Sequence, residues 1–213
     1  MKNAKTGFFF SGVGLLAFVG WTVLVGTVDR RPIGPDGSVV GLATLNGWFR
    51  DLIGVNWGLY TLTDWLGLVP LGIAAVFAVL GLTQLLKRLS LAAVDRDLLL
   101  LGGLYLAVWA LYLAFERWPL NFRPVWIEGV LEASYPSSTT LLALCILPTA
   151  MHQVRLRLRG ALAWTVWIAL GALTIFMVVA RLLSGVHWLT DILGGALFAA
   201  VSVGLYRTAV SHR

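Results

Sequence analysis

The strongest constraint on this chain is a series of apolar runs that contain no charge. Residues 7–28, 65–86, 98–115, 133–151 and 160–180 lack Asp, Glu, Lys and Arg, and 188–206 contains only Asp191. Each run is roughly 20 residues long, which as a helix rising 1.5 Å per residue crosses a hydrocarbon core of about 30 Å. A helix also satisfies its own backbone hydrogen bonds where no water can. The sequence therefore predicts an all-α integral membrane bundle of six transmembrane helices, at about 7–28, 65–86, 98–117, 134–152, 160–183 and 187–207, in a single membrane domain over 1–213. Composition agrees, with 59% hydrophobic and 12% charged residues against roughly 45–50% and 25% in a soluble domain. That balance excludes a soluble domain, a disordered chain and a coiled coil. A disulfide framework is excluded too, because Cys145 is the only cysteine and lies inside an apolar run as a packed thiol.

The first run follows Lys2 and Lys5, but it is too long for a signal-peptide core and no A-x-A site precedes Asp29; it reads as a retained anchor. Across six alternating helices, Lys2, Lys5, Lys87, Arg88, Arg96, Arg155, Arg157, Arg159, Arg207 and Arg213 fall on one side. Arg30, Arg31, Arg50, Arg117, Arg123 and Arg181 fall on the other. The richer side should be cytoplasmic, which places both termini inside a cell membrane. The net charge of +6 then needs no nucleic-acid partner, and the basic stretch 155–159 reads as a topology determinant beside anionic lipid. Residues 29–64 form the longest loop, outside, with Trp48, Phe49, Trp57 and Tyr60 spaced among polar residues. This pattern suits an interfacial helix or a loop packed over the bundle.

Few polar residues remain. Arg181, His187 and Asp191 flank one short break between the fifth and sixth helices, and ionisable groups at the membrane edge mark a functional site by default. The bland alternative is a snorkelling Arg181 and a structural His187–Asp191 pair. Four positions apart on a helix, His187 and Asp191 share a face. A carboxylate on one imidazole nitrogen leaves the other as nucleophile or base. Ser184-Gly185 supplies the bend that lets Arg181 return to the same point.

A second group comprises Glu116, Arg117, Arg123-Pro124 and then Ser134-Tyr135-Pro136-Ser137-Ser138-Thr139-Thr140. Pro among hydroxyl residues reads as a helix start. Free amides at such an end, with arginines converging on it, would hold a phosphate. A plain N-cap explains Ser134 or Ser137 equally well.

Arg123-Pro124, Tyr135-Pro136-Ser137-Ser138-Thr139, and Arg181 with His187 and Asp191 at intervals of five and three intervening residues resemble the three motifs of the type 2 phosphatidic acid phosphatase family, the lipid phosphate phosphatases. Those motifs are K-x6-R-P, P-S-G-H and S-R-x5-H-x3-D. The resemblance spans about 98–206. It implies that His187 attacks phosphorus to give a phosphohistidine and that Asp191 orients the imidazole. It further implies that Arg123 and Arg181 hold the phosphoryl oxygens, that Ser137, Ser138 and Thr139 complete the cradle, and that neither metal nor cofactor is needed.

Three positions depart from the pattern. Ala180 replaces the Ser of the third motif. The Lys of the first motif falls on Glu116, so Arg117, one residue nearer, is the expected substitute for it. The His of the second motif, the general acid for the leaving group, falls on Thr139. Such an acid is worth about 10²- to 10⁴-fold. Either the leaving group needs no proton, as when a phosphate monoester is expelled from a lipid diphosphate, or hydrolysis is impaired. The expected partners are the bilayer and a phospholipid or prenyl (di)phosphate. The leading expectation is a phosphatase acting on an undecaprenyl diphosphate-like lipid at the outer face. The alternatives are a phosphatidic acid or phosphatidylglycerol phosphate phosphatase, a lipid phosphotransferase, and an impaired protein that binds or transports phospholipid.

Overall fold

The computed structural model describes residues 2–212; Arg213, counted above among the cytoplasmic basic residues, lies outside them. Among the described residues the chain forms eight α-helices: α1 (Lys2–Thr27), α2 (Ala43–Ile53), α3 (Trp57–Leu66), α4 (Leu68–Arg88), α5 (Arg96–Arg117), α6 (Ser138–Arg157), α7 (Gly160–Leu183) and α8 (Leu189–Ser211). Among the described residues five spans are long and apolar enough to cross a membrane: Ala4–Thr27, Trp57–Arg88 (α3 running into α4), Arg96–Arg117, Gly160–Leu183 and Leu189–Ser211. The chain is a multi-pass membrane helical bundle.

The sixth expected span differs from its sequence reading. It is α6, a 20-residue helix that is not among the five apolar spans. Its Thr139, Thr140, Thr149 and Gln153 are buried with Leu141, Cys145 and Leu147. The reason is its place: α6 packs against α7 and α8, with α4 and α5 also touching it, so its side chains meet protein rather than lipid. Its polar groups find partners within the helix and beside it: Thr149 Oγ1 donates to the Cys145 carbonyl one turn back at 2.7 Å and lies 2.9 Å from the Tyr105 hydroxyl of α5. Residues 134–137, read from sequence as the first turn of this helix, precede it; α6 starts at Ser138 with Ser137 as its cap.

α1 lies along α8. A Cβ on Gly7 would stand 2.4 Å from Thr208 Oγ1, and one on Gly14 2.8 Å from a Val201 methyl, so small residues let the two backbones approach closely. The outward face of α1, with Phe9, Phe10 and Leu16, is exposed and suits lipid. The Gly7–Thr208 contact also puts the two ends of the chain at the same end of the bundle.

The opposite end carries three connections that matter for the site. Residues 28–42 lead from α1 to α2, and Asp29 Oδ2 accepts the Thr44 amide at 2.6 Å. That bond holds the Asp29 carboxyl down at about 2 and ties the connection to the start of α2. In turn α2 rests on α8: Asn46 Nδ2 donates to Thr190 Oγ1 at 3.0 Å and Asn46 Oδ1 accepts the Thr190 amide at 3.2 Å. Its Trp48 and Leu52 are exposed, the arrangement of an interfacial helix. Residues 121–134 fold back on themselves, with antiparallel bridges at Phe122–Ala133 and Ile127–Val130 and a turn at Glu128-Gly129, both at positive φ. The third connection is the break at 184–188 between α7 and α8.

Candidate active site

The three connections converge on the break. His187, 4% exposed, is held through Nδ1, which lies 3.1 Å from the Ser134 carbonyl and 3.1 Å from Ser134 Oγ. Among the described residues Nε2 is buried without a hydrogen-bond partner. With Nδ1–H donating to the carbonyl, the lone pair is on Nε2. Burial, reinforced by the charges of Arg123 and Arg181, holds the imidazole well below its usual range, so it is neutral and nucleophilic at pH 7.

The expected direct His187–Asp191 hydrogen bond is absent: Nδ1 is 3.8 Å from Asp191 Oδ2. Between them stands the Ser134 hydroxyl, which donates to Asp191 Oδ2 in a short contact. The fully buried carboxylate also accepts the Trp188 amide at 2.9 Å and Asn121 Nδ2 at 3.3 Å. Asp191 therefore caps the start of α8 and reaches the imidazole through Ser134. The i,i+4 spacing fails to pair them because His187 precedes the helix, which begins at Leu189.

Arg181 and Arg123 are 1% and 7% exposed. From α7, Arg181 donates through Nη1 to Thr63 Oγ1 at 3.1 Å, sits 3.7 Å from Asp64 through Nη2 and lies 5.0 Å over the Tyr60 ring. Its Nε has no hydrogen-bond partner among the described residues. Arg123 Nε is 2.9 Å from Glu132 Oε2, though not aligned for a hydrogen bond, and Nη1 is without one. Two buried guanidinium groups thus keep donors unspent beside a free imidazole nitrogen. Their carboxylate neighbours Glu132 and Asp64 are 40% and 61% exposed.

The other expected site residues divide. Ser138 lines a polar cavity of about 410 Å³ with Glu116, Arg123 and Glu132, and a narrow one beside it with His187 and Ser134. Ser137 is committed elsewhere: its Oγ accepts from Thr140 Oγ1 at 3.1 Å, and its amide donates to the Asp191 carbonyl at 3.1 Å. Thr139 is buried and lines neither cavity. Arg117 is not brought to the site. It is exposed and its guanidinium lies 5.9 Å over Trp118, because one residue along α5 turns about 100°. Glu116 faces the cavities instead.

Residues that sequence reasoning missed include Ser134 as the bridge, Asn121 on the carboxylate, and Tyr60, Thr63 and Asp64 around Arg181. The only sequence signal for them was density of hydroxyl, amide and aromatic groups in the outer loops. The 29–64 segment does cover the break: the Asn56 amide donates to the Ser184 carbonyl at 2.9 Å. Gly185, at φ +68, lies so close that a Cβ would stand 1.9 Å from the Gly54 carbonyl oxygen.

No family model and no curated protein matches the chain. Among solved structures, the chain is similar to one described as the first transmembrane PAP2 type phosphatidylglycerolphosphate phosphatase, from Bacillus subtilis. The similarity covers 78% of this chain and 93% of that one, at 20% identity and a TM-score of 0.48.

Proposed function

We propose that the chain is a membrane lipid phosphatase of the type 2 phosphatidic acid phosphatase kind, working through a phosphohistidine on His187. The observation that carries this reading is the buried His187 whose Nδ1 is tied to Ser134 while Nε2 has no partner, beside two buried arginines with unspent donors. Nε2 attacks the phosphorus in line with the leaving oxygen. Arg123 and Arg181 take the equatorial oxygens as charge builds, and Asp191, through Ser134, stabilises the imidazolium. These side chains suffice without a metal ion.

A lipid fits the surroundings. From Ser138 an apolar cavity of about 350 Å³ runs between α4, α5 and α6, past Leu71, Val108 and Ile146. A larger groove of about 700 Å³ between α4 and α5 shares Ala74, Tyr105 and Trp109 with it. A head group at Arg123 can therefore lie with its tail between these helices. Thr139 favours a lipid diphosphate, such as a prenyl diphosphate, whose leaving phosphate monoester needs no proton. The charge count of the loops favours an outer-face site in a plasma membrane, with six spans and both termini inside.

The test is phosphate release by purified wild type and His187→Ala from a prenyl diphosphate and from phosphatidic acid. Activity in the wild type alone, higher on the diphosphate, is expected. Equal activity in both proteins overturns the mechanism, and preference for phosphatidic acid overturns the leaving-group argument. The Arg123–Glu132 contact favours one other reading, a protein that binds phospholipid without cleaving it; phosphate labelling of His187 during turnover excludes that.

A further inference from the structure

Glu116 is the acidic residue that replaces a lysine in the resembled pattern, and the structure turns it toward the reacting histidine. The narrow cavity of about 10 Å³ is lined by Tyr112, Glu116, Ser134, Ser138 and His187. Room of that size admits one water. Its lining residues include Glu116, His187 and four that carry a hydroxyl, Tyr112, Ser134, Tyr135 and Ser138, polar partners enough to hold a water in place. The same Glu116, Tyr112 and Ser138 also line the larger cavity that holds Arg123, so the space joins the region where the phosphoryl group would sit. Among the described residues no arginine or lysine forms an ion pair with Glu116, and the Tyr112 phenol adjoins its carboxylate.

We propose that Glu116 is the general base of the second half-reaction, activating the water that hydrolyses the phosphohistidine. The proposal rests on the phosphohistidine reading above. In the first half, Nε2 bonds to phosphorus and the lipid phosphate monoester leaves with the electron pair of the broken P–O bond; no proton moves. In the second half, the water oxygen bonds to phosphorus as the P–Nε2 bond breaks. The electron pair of that bond returns to Nε2, and the water proton passes to the Glu116 carboxylate. Nδ1 keeps its proton on the Ser134 carbonyl throughout. Hydrogen phosphate leaves, Glu116 gives its proton to solvent, and His187 is neutral again. This division also gives a chemical sense to two departures in the sequence: the lack of an acid at position 139 suits a first step that needs none, and Glu116 suits a second step that needs a base.

The experiment is rapid-quench kinetics with a prenyl diphosphate labelled in its terminal phosphate, on wild type, Glu116→Gln, Glu116→Asp and His187→Ala in detergent. Glu116→Gln should release one lipid monophosphate per enzyme at the wild-type rate, then turn over about 10²- to 10⁴-fold more slowly, with label accumulating on His187. The label itself reports that the variant is folded. Glu116→Asp should recover part of the turnover. Hydroxylamine, a nucleophile that needs no base, should speed discharge of the labelled Glu116→Gln enzyme. Steady-state turnover of Glu116→Gln within about threefold of wild type overturns the proposal. So does a slowed first turnover without label, which would put Glu116 in the first step or in the scaffold. Absence of label in every protein with undiminished activity in His187→Ala is a different failure: it overturns the phosphohistidine reading and this proposal with it.

Discussion

Ser134→Ala is the sharpest probe of how the nucleophile is held. The substitution removes one hydroxyl and leaves the Ser134 carbonyl, which is 3.1 Å from His187 Nδ1, in place. What is lost is the bond from Ser134 Oγ to the buried Asp191 carboxylate and the contact of the same atom with Nδ1 at 3.1 Å. A hydrogen bond to a charged group contributes about 1.5–3 kcal/mol. Asp191 keeps the Trp188 amide and Asn121, so α8 stays capped and the loss falls on coupling between carboxylate and imidazole. If that coupling matters only as the imidazole becomes charged, kcat falls roughly 10- to 150-fold, at 1.36 kcal/mol per decade, with KM little changed. The assay is steady-state phosphate release in detergent, with Asp191→Asn and the double variant completing a cycle. Because Asp191 acts through Ser134, Ser134→Ala should cost far less in the Asp191→Asn background. A single variant within twofold of wild type, or two effects that simply add, would refute the bridge.

Arg181→Lys keeps the charge but cannot reach Thr63, stack on Tyr60 and present a free donor together; kcat/KM should drop on the order of 10²-fold, and near wild-type activity would remove Arg181 from the phosphoryl site. Because burial holds the His187 imidazole below its usual range, the neutral nucleophile persists as pH falls. The acid limb of kcat/KM should then lie below about pH 6.5, and a limb at or above that value contradicts the geometry. The sign is the same for stability: below about pH 6.5 the unfolded chain takes up a proton at His187 that the folded chain resists, so melting temperature falls with pH, and less so in His187→Ala. Gly185→Ala meets both a positive φ and the Gly54 carbonyl. It should destabilise by at least about 1–3 kcal/mol and expose residues 54–56 to limited proteolysis; an unchanged melting temperature would show that this contact is not a constraint.

Much of the fold was legible in the charge-free runs, because a backbone in lipid must close its own hydrogen bonds and a run of roughly 20 apolar residues leaves helix as the way to do it. α1, α4, α5, α7 and α8 follow from that alone. The break at 184–188 was legible too, since ionisable residues such as Arg181, His187 and Asp191 at a membrane edge mark a functional site by default. What the sequence could not reveal depends on which faces meet. Runs of hydrophobicity do not say that α6 is enclosed by protein and can carry Thr149 and Gln153. Nor do they say that Glu116 rather than Arg117 lines the cavities, a matter of 100° of helix phase. Only the tertiary structure put Ser134 between His187 and Asp191, and brought Thr63 from α3 to Arg181 across 118 positions of chain. Ser134 comes from a loop whose own sequence has no periodicity to read, and the period of α3 does not tell which partner Thr63 will meet. The conformations of both segments are set by the buried polar groups they must satisfy, Asp191 by Asn121 and Arg181 by Thr63, and an unpaired charge in that interior would cost more than any local preference of the chain.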